Sequence, residues 1–153
     1  MAARSARPVR YVATAVPSDE EMERRIAAHK QGRPDSWTVV EAPVELAGAV
    51  SSADAEEFLV VDCVTLWISN LMVDHDDATI MSRVGEVVRE LAARRLTVVV
   101  SNEVGSGLVP MDPIGRRFRD LQGDANQEFA AASARSYLVI AGKTLELGSF
   151  DAG

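Results

Sequence analysis

Three groups of polar residues have types and positions suited to nucleotide chemistry. Asp62 ends the apolar run FLVVD, where its carboxylate could hold Mg²⁺ beside a nucleotide, directly or through water. Asn102 and Glu103 end a second apolar run, LTVVVSNE, just before a glycine-rich turn. Two polar strand ends on one sheet edge would border a ligand crevice. An acid at a strand end also commonly caps the next helix, so this plainer interpretation of Asp62 stays open.

The third group lies in the stretch RIAAHKQGRPDSW. His29 is one turn from the predicted end of a helix, next to Lys30 and close to Arg33. A neutral imidazole can attack phosphorus, while nearby cations stabilise charge on the phosphoryl oxygens. The alternative is a solvent-facing histidine on an amphipathic helix, which is the commoner situation for a single histidine.

The elements that must position these groups alternate between strands and helices. Runs rich in β-branched residues predict the strands Val9–Ala15, Phe58–Cys63, Leu96–Ser101 and Ser136–Ala141, with a weaker one at Thr38–Val40. Helical patterns cover Asp19–Gln31, with Ser18 as its N-cap, Ala78–Arg95 and Pro113–Arg135. This alternation predicts an α/β three-layer domain, residues 1–153, with a mainly parallel sheet between helices.

Composition excludes several classes of protein. The 16 Lys and Arg against 23 Asp and Glu give a net charge of −7, and the basic residues are scattered, which argues against nucleic-acid binding. Cys63 is the only cysteine, so there is no intrachain disulfide and no cysteine cluster for zinc. No run approaches the roughly 20 apolar residues of a membrane helix. We therefore expect a cytoplasmic protein without a membrane span.

A phosphate-binding loop of the form G-x-x-x-x-G-K-S/T is absent from the sequence. Its backbone amides would cradle phosphates and its lysine would neutralise them. The only GKT is Gly142 to Thr144, and the position of the earlier glycine is taken by Tyr137. Too few residues follow for a phosphate-binding helix. We therefore predict a terminal turn there, with Lys143 exposed.

The order of motifs along the chain resembles one enzyme family. The segments are YVATA, DEEM, RIAAHKQGRPDSWTVVE, VVDCVTLWISN, SNEVGSGLVP and RRFRDLQGDANQ, spanning about Tyr11 to Gly142. Together they are similar to the adenosylcobinamide kinase/adenosylcobinamide-phosphate guanylyltransferases of cobalamin biosynthesis. The resemblance implies a P-loop NTPase-like, RecA-like fold, with the family's first strand and Walker A loop lacking from this chain.

The resemblance also implies two reactions. The family phosphorylates the hydroxyl of adenosylcobinamide with GTP or ATP, then transfers GMP from GTP to that phosphate, making adenosylcobinamide-GDP. The second step passes through a guanylylated histidine, and His29 matches it. The family uses Mg²⁺ with its nucleotide substrates, has no prosthetic group and assembles as a homotrimer.

Family nucleotide contacts match further positions. They are Thr14, Ala15, Val16, Lys30, Gln31, Gly32, Arg33, Glu41 and Asp62, with Asp62 as the Mg²⁺ ligand and supporting roles for Asn102 and Glu103. Glu41 could accept hydrogen bonds from guanine N1–H and its N2 amine. Because phosphate positioning depends on the missing loop, we expect kinase activity to suffer most. A non-catalytic nucleotide- or corrinoid-binding homologue is the alternative function.

Overall fold

A four-stranded parallel sheet forms the centre of the computed structural model, which describes residues 6–148. The strands are β1 (Val9–Ala13), β2 (Thr38–Glu41), β3 (Phe58–Asp62) and β4 (Thr97–Val100). Their order is β2-β1-β3-β4, and every neighbouring pair is parallel. The predicted α/β class with a mainly parallel sheet is confirmed.

Helices connect and follow these strands. They are α1 (Glu20–Gln31), α2 (Leu46–Ser51), α3 (Val64–Leu71), α4 (Asp77–Ala92) and α5 (Pro113–Ala132). The N-cap of α1 is Asp19 rather than the predicted Ser18, because the Asp19 carboxylate accepts a hydrogen bond from the Met22 amide at 2.8 Å. Within residues 6–148, each helix is too short or too polar to cross a membrane.

The direction of the connections decides which helices share a face of the sheet. The chain moves one way from β1 to β2, and the opposite way from β2 to β3 and from β3 to β4. Because such crossovers are right-handed, α1 lies on one face and α2, α3 and α4 on the other. Helices therefore cover both faces of the sheet, as the sequence predicted.

The main hydrophobic core lies between the sheet and helices α2 to α5. Val12, Leu59 and Val61 point into it from the strands. The largest buried side chain is Trp67 of α3, whose indole N–H donates to the Val44 carbonyl at 2.9 Å. The opposite face has a smaller cluster, formed by Val9, Tyr11, Ala13 and Val60 with Trp37 and Phe58 packed against it. The α1 face is therefore held by far less apolar contact.

The last predicted strand does not join the parallel sheet. Ser136–Ala141 was expected there, but β5 (Ser136–Ile140) instead pairs antiparallel with β6 (Lys143–Leu147). Ala141 and Gly142 have φ of 50° and 72°, and this two-residue turn with positive φ at both positions returns the chain on itself. β5 thus pairs with the strand next to it in sequence, β6, and not with an edge of the parallel sheet. Lys143 is exposed, as predicted.

Candidate functional site

The carboxyl ends of the parallel strands form a crevice where the connections diverge, between β1 and β3. Ligands of open parallel sheets bind at such a point. Thr14 and Asp62 flank it, and the Thr14 amide donates to the Asp62 carbonyl at 3.1 Å. Asn102 follows β4 at the same edge, where its amide donates to Thr65 Oγ1 at 2.9 Å. Asp62 and Asn102, which were predicted to lie at one edge of the sheet, thus share that edge with Thr14.

Thr14 supports this crevice from inside. Its side chain is fully buried, and Oγ1 donates to the Cys63 carbonyl at 2.7 Å and accepts from the Cys63 amide at 2.8 Å. Asn70 Nδ2 donates to the Thr14 carbonyl at 2.8 Å. Burial raises the pKa of the Cys63 thiol, so that it stays neutral. The Thr14 hydroxyl therefore faces the interior, and only Ala15 and Val16 reach the surface.

Asp62 receives a hydrogen bond from a tyrosine on the neighbouring strand. The Tyr11 hydroxyl donates to Asp62 Oδ2. The register explains the contact, because Tyr11 pairs with Val60 and Ala13 with Asp62, which makes Tyr11 and Asp62 diagonal neighbours on one face. Burial, reinforced by this hydrogen bond, raises the pKa of Tyr11 above its usual value. The phenol is therefore a fixed donor at neutral pH.

A cleft of about 440 Å³ opens between this face and the end of α1. It is lined by Tyr11, Ala28, His29, Gly32, Arg33 and Asp62. His29 is exposed, and none of the side chains of α1 is buried. The cleft therefore brings together the accessible imidazole and the guanidinium of one predicted segment with the carboxylate of another.

Arg33 is held against the sheet by an aromatic ring. Its guanidinium carbon lies 3.7 Å from the centroid of the Tyr11 ring. Tyr11 also stacks with Trp37, at 6.1 Å between ring centroids and 27° between planes. A cation over a tyrosine contributes roughly 0.5–2 kcal/mol, depending on desolvation. The stack fixes Arg33 while its charge still borders the cleft.

Lys30, the residue after His29, forms an ion pair with Glu41. Lys30 Nζ lies 3.1 Å from Glu41 Oε1, with 53% of the lysine and 66% of the glutamate side chain exposed. Such surface pairs contribute little, about 0–1 kcal/mol, so a ligand could displace either partner. Glu41 also borders a second, mainly apolar cleft of about 520 Å³ next to α2. Gln31, at the end of α1, is exposed.

Sequence reasoning gave no role to the network that fixes the end of β4. Gln122 is fully buried, and its Nε2 donates to Ser101 Oγ at 2.9 Å and to Asn126 Oδ1 at 2.8 Å. Asn126 Nδ2 in turn donates to the Asn102 carbonyl at 3.1 Å. The available signal was the spacing of Gln122 and Asn126, four residues apart and so on one face of α5. This network holds the loop after β4 at the crevice.

The carboxylates suit a metal that arrives with a substrate. Among residues 6–148, no group of three or more His, Cys, Asp or Glu could hold a metal ion. The Glu103 carboxylate accepts a hydrogen bond within its own turn, from the Gly105 amide at 2.6 Å. Mg²⁺ at phosphate sites typically takes one or two carboxylates and completes its shell with phosphates and water. Asp62 fits that pattern and does not fit a resident metal held by protein alone.

Comparisons with known proteins agree on one family. The family model described as cobinamide kinase / cobinamide phosphate guanyltransferase matches residues 1–147. The bifunctional adenosylcobalamin biosynthesis protein CobP of Pseudomonas aeruginosa is 38% identical over 151 residues, which cover 96% of this chain and 86% of the relative. The bifunctional adenosylcobalamin biosynthesis protein CobU of Escherichia coli is 34% identical over 149 residues, covering 88% and 82%. CobU of Salmonella typhimurium is 32% identical with the same coverage.

Proposed function

Because this chain belongs to the cobinamide kinase / cobinamide phosphate guanyltransferase family, we propose that it transfers GMP from GTP to adenosylcobinamide phosphate through His29. The relatives are named as bifunctional proteins of adenosylcobalamin biosynthesis. The observation that supports the proposal most strongly is the cleft that His29 shares with Arg33 and Asp62. A nucleophile, a cation and a carboxylate are the groups that nucleotidyl transfer needs.

In the first step the lone pair of the neutral His29 imidazole attacks the α-phosphorus of GTP. The bond from that phosphorus to the oxygen bridging to the β-phosphate breaks, and pyrophosphate leaves with the electron pair. The product is GMP linked to His29 through a phosphorus–nitrogen bond. Arg33 and Lys30 stabilise the negative charge on the phosphoryl oxygens, since Arg33 lines the cleft and Lys30 directly follows His29 in the chain.

In the second step a phosphate oxygen of adenosylcobinamide phosphate attacks the same phosphorus. The phosphorus–nitrogen bond breaks, adenosylcobinamide-GDP forms and the imidazole is regenerated. Mg²⁺ bound with the nucleotide would neutralise phosphate charge, and Asp62 is the residue that would hold it. Glu41 is the proposed guanine acceptor, and Asn102 and Glu103 support the phosphates.

Labelling tests the role of His29. The chain is incubated with Mg²⁺ and GTP labelled at the α-phosphate, both as it is and with a G-x-x-x-x-G-K-S/T segment fused ahead of Arg7. We expect an adduct that is labile in acid and stable in base, because protonating a phosphoramidate nitrogen makes the ring a good leaving group. His29→Asn should abolish the adduct, since an amide is a far weaker nucleophile than imidazole. In the fused protein, Asp62→Asn should impair both transfer and kinase steps.

The chain offers a matched control, because His75 is its only other histidine. His75→Asn should label like the unsubstituted protein, and kinase turnover of the fused protein should survive His29→Asn. Full labelling of His29→Asn would refute the assignment. Binding of GMP without labelling in either form would instead support the non-catalytic nucleotide-binding homologue.

A further inference from the structure

Tyr11 contacts both charged groups at the floor of the cleft. Its hydroxyl donates to Asp62 Oδ2, and its ring lies under the Arg33 guanidinium. We propose that Tyr11 is a positioning residue for guanylyl transfer, which holds the Asp62 carboxylate and the Arg33 guanidinium apart at a fixed spacing. This inference rests on the proposed function, because it takes the His29 cleft as the site of transfer.

The reason to expect such a spacer is electrostatic. Arg33 and Asp62 line one cleft and carry opposite charges, so a direct ion pair between them would withdraw both from the substrate. Within residues 6–148 no ion pair joins them, and the Arg33 guanidinium carbon lies 3.7 Å from the centroid of the Tyr11 ring. Tyr11 instead contacts each group separately, the carboxylate through its hydroxyl and the guanidinium through its ring, and the buried Nη1 of Arg33 has no hydrogen-bond partner among the described residues. In this proposal Arg33 is thereby kept available for phosphoryl oxygens, and Asp62 for Mg²⁺ that arrives with the nucleotide.

The position of Tyr11 is itself rigid. Its ring is buried, it stacks on Trp37, and its backbone lies in the sheet between β2 and β3. Both of its contacts therefore originate from a fixed point rather than from a mobile loop. By contrast, the helix that carries His29 has no buried side chain. The spacing of Asp62 and Arg33 is thus set by the sheet.

Two substitutions separate the two contacts. Tyr11→Phe removes only the hydroxyl, and Tyr11→Leu also removes the ring that supports Arg33. Tyr137→Phe is the matched control, because Tyr137 is the only other tyrosine and lies 41% exposed on β5. For each variant, GMP affinity is measured by tryptophan fluorescence and the rate of His29 labelling is measured at saturating GTP. The variants are made in whichever form of the unsubstituted protein becomes labelled, the chain as it is or the chain with the fused G-x-x-x-x-G-K-S/T segment.

We expect Tyr11→Phe to slow labelling about tenfold while the Kd for GMP changes by less than about twofold, since the lost bond is one charge-assisted hydrogen bond. Tyr11→Leu should in addition weaken GMP binding about fivefold through the loss of the cation–π contact. In an Asp62→Asn background, Tyr11→Phe should have almost no further effect, because its hydroxyl acts through that carboxylate. Tyr137→Phe should match the unsubstituted chain in both assays.

Equal labelling rate and GMP affinity in Tyr11→Phe and the unsubstituted protein would overturn the proposal. So would a Tyr11→Phe effect that is undiminished in the Asp62→Asn background, since that is the result of a general structural role. If the unsubstituted chain binds GMP without labelling, the proposed function fails and the role of Tyr11 in transfer fails with it, whereas labelling that Tyr11→Phe leaves unchanged overturns the inference alone. Absence of GMP binding by the unsubstituted chain would overturn both. Should Tyr11→Leu fail to fold, Tyr11→Phe, which keeps the buried ring, decides the question.

Discussion

Replacing Thr14 by valine should destabilise the protein through the strand ends that form the crevice. Thr14 is fully buried, and its hydroxyl both donates to and accepts from the backbone of Cys63, at 2.7 and 2.8 Å. Valine has nearly the same shape but no hydroxyl. The substitution therefore leaves the Cys63 carbonyl and amide without these partners in a region that water does not reach.

The magnitude follows from those two groups. A buried polar group that loses its hydrogen bond costs about 1–3 kcal/mol, and partial relaxation makes the two costs less than additive. We expect Thr14→Val to lower the free energy of unfolding by about 3 kcal/mol. Thr14→Ser keeps both hydrogen bonds and loses one methyl group, which costs about 1 kcal/mol. The serine variant is thus the matched control for the hydroxyl.

Urea unfolding followed by circular dichroism measures the difference. The midpoint should fall in the order unsubstituted chain, Thr14→Ser, Thr14→Val, with an unchanged dependence on urea concentration. In a thermal scan a loss of about 3 kcal/mol corresponds to a decrease in Tm of roughly 6–12 °C for a domain of this size. A loss below about 1 kcal/mol for Thr14→Val, or equal losses for serine and valine, would refute the role given to the hydroxyl.

Two further predictions concern acid stability and phosphorylation. Arg10 Nε donates to Glu57 Oε2 at 2.7 Å, and this hydrogen bond lowers the pKa of Glu57. A lowered folded-state pKa of Glu57 adds stability that is present above its unfolded pKa and is lost as the pH falls through its folded pKa. The free energy of unfolding of Glu57→Gln should therefore fall less between about pH 5 and pH 3 than that of the unsubstituted chain. An unchanged pH profile by urea unfolding would contradict this. Because its 153 residues contain no G-x-x-x-x-G-K-S/T, the chain should transfer almost no phosphate to adenosylcobinamide, and turnover within tenfold of the Escherichia coli relative would disprove that expectation.

The sequence was informative where strands are continuously apolar. The strands β1, β3 and β4 were predicted from such runs, which suit a parallel sheet covered by helices. The edge strand β4 is nevertheless only partly buried. The short helix α2 was not predicted, since its six residues, LAGAVS, have no side-chain cap and too little length to show a period. The exposed run of β5 was assigned to the wrong sheet because its apolar residues look like those of a buried strand. Only the two-residue turn at Ala141 and Gly142 separates the two cases.

The candidate site likewise has a part that the sequence could predict and a part that it could not. Asp62 and Asn102 could be predicted to share an edge, because parallel strands end on the same side of a sheet. The contact between Tyr11 and Asp62 could not, since it depends on which residues of β1 and β3 pair. The proximity of His29 to Asp62 depends on the direction of the β1–β2 crossover, and the motifs alone do not contain that information. Residue types and positions pointed to His29 and Asp62 separately, and the topology brings them to one cleft.

The two halves of the cleft are held by different forces, and this affects how substitutions there should be judged. Asp62 and Thr14 belong to strand ends tied together by buried hydrogen bonds. His29 and Lys30 lie on α1, where every side chain is at least partly exposed and the ion pair of Lys30 is a surface pair. Changes at His29 or Lys30 should therefore alter transfer with little effect on the free energy of unfolding. Loss of activity after a change at Thr14 has to be corrected for the folded fraction before it says anything about chemistry.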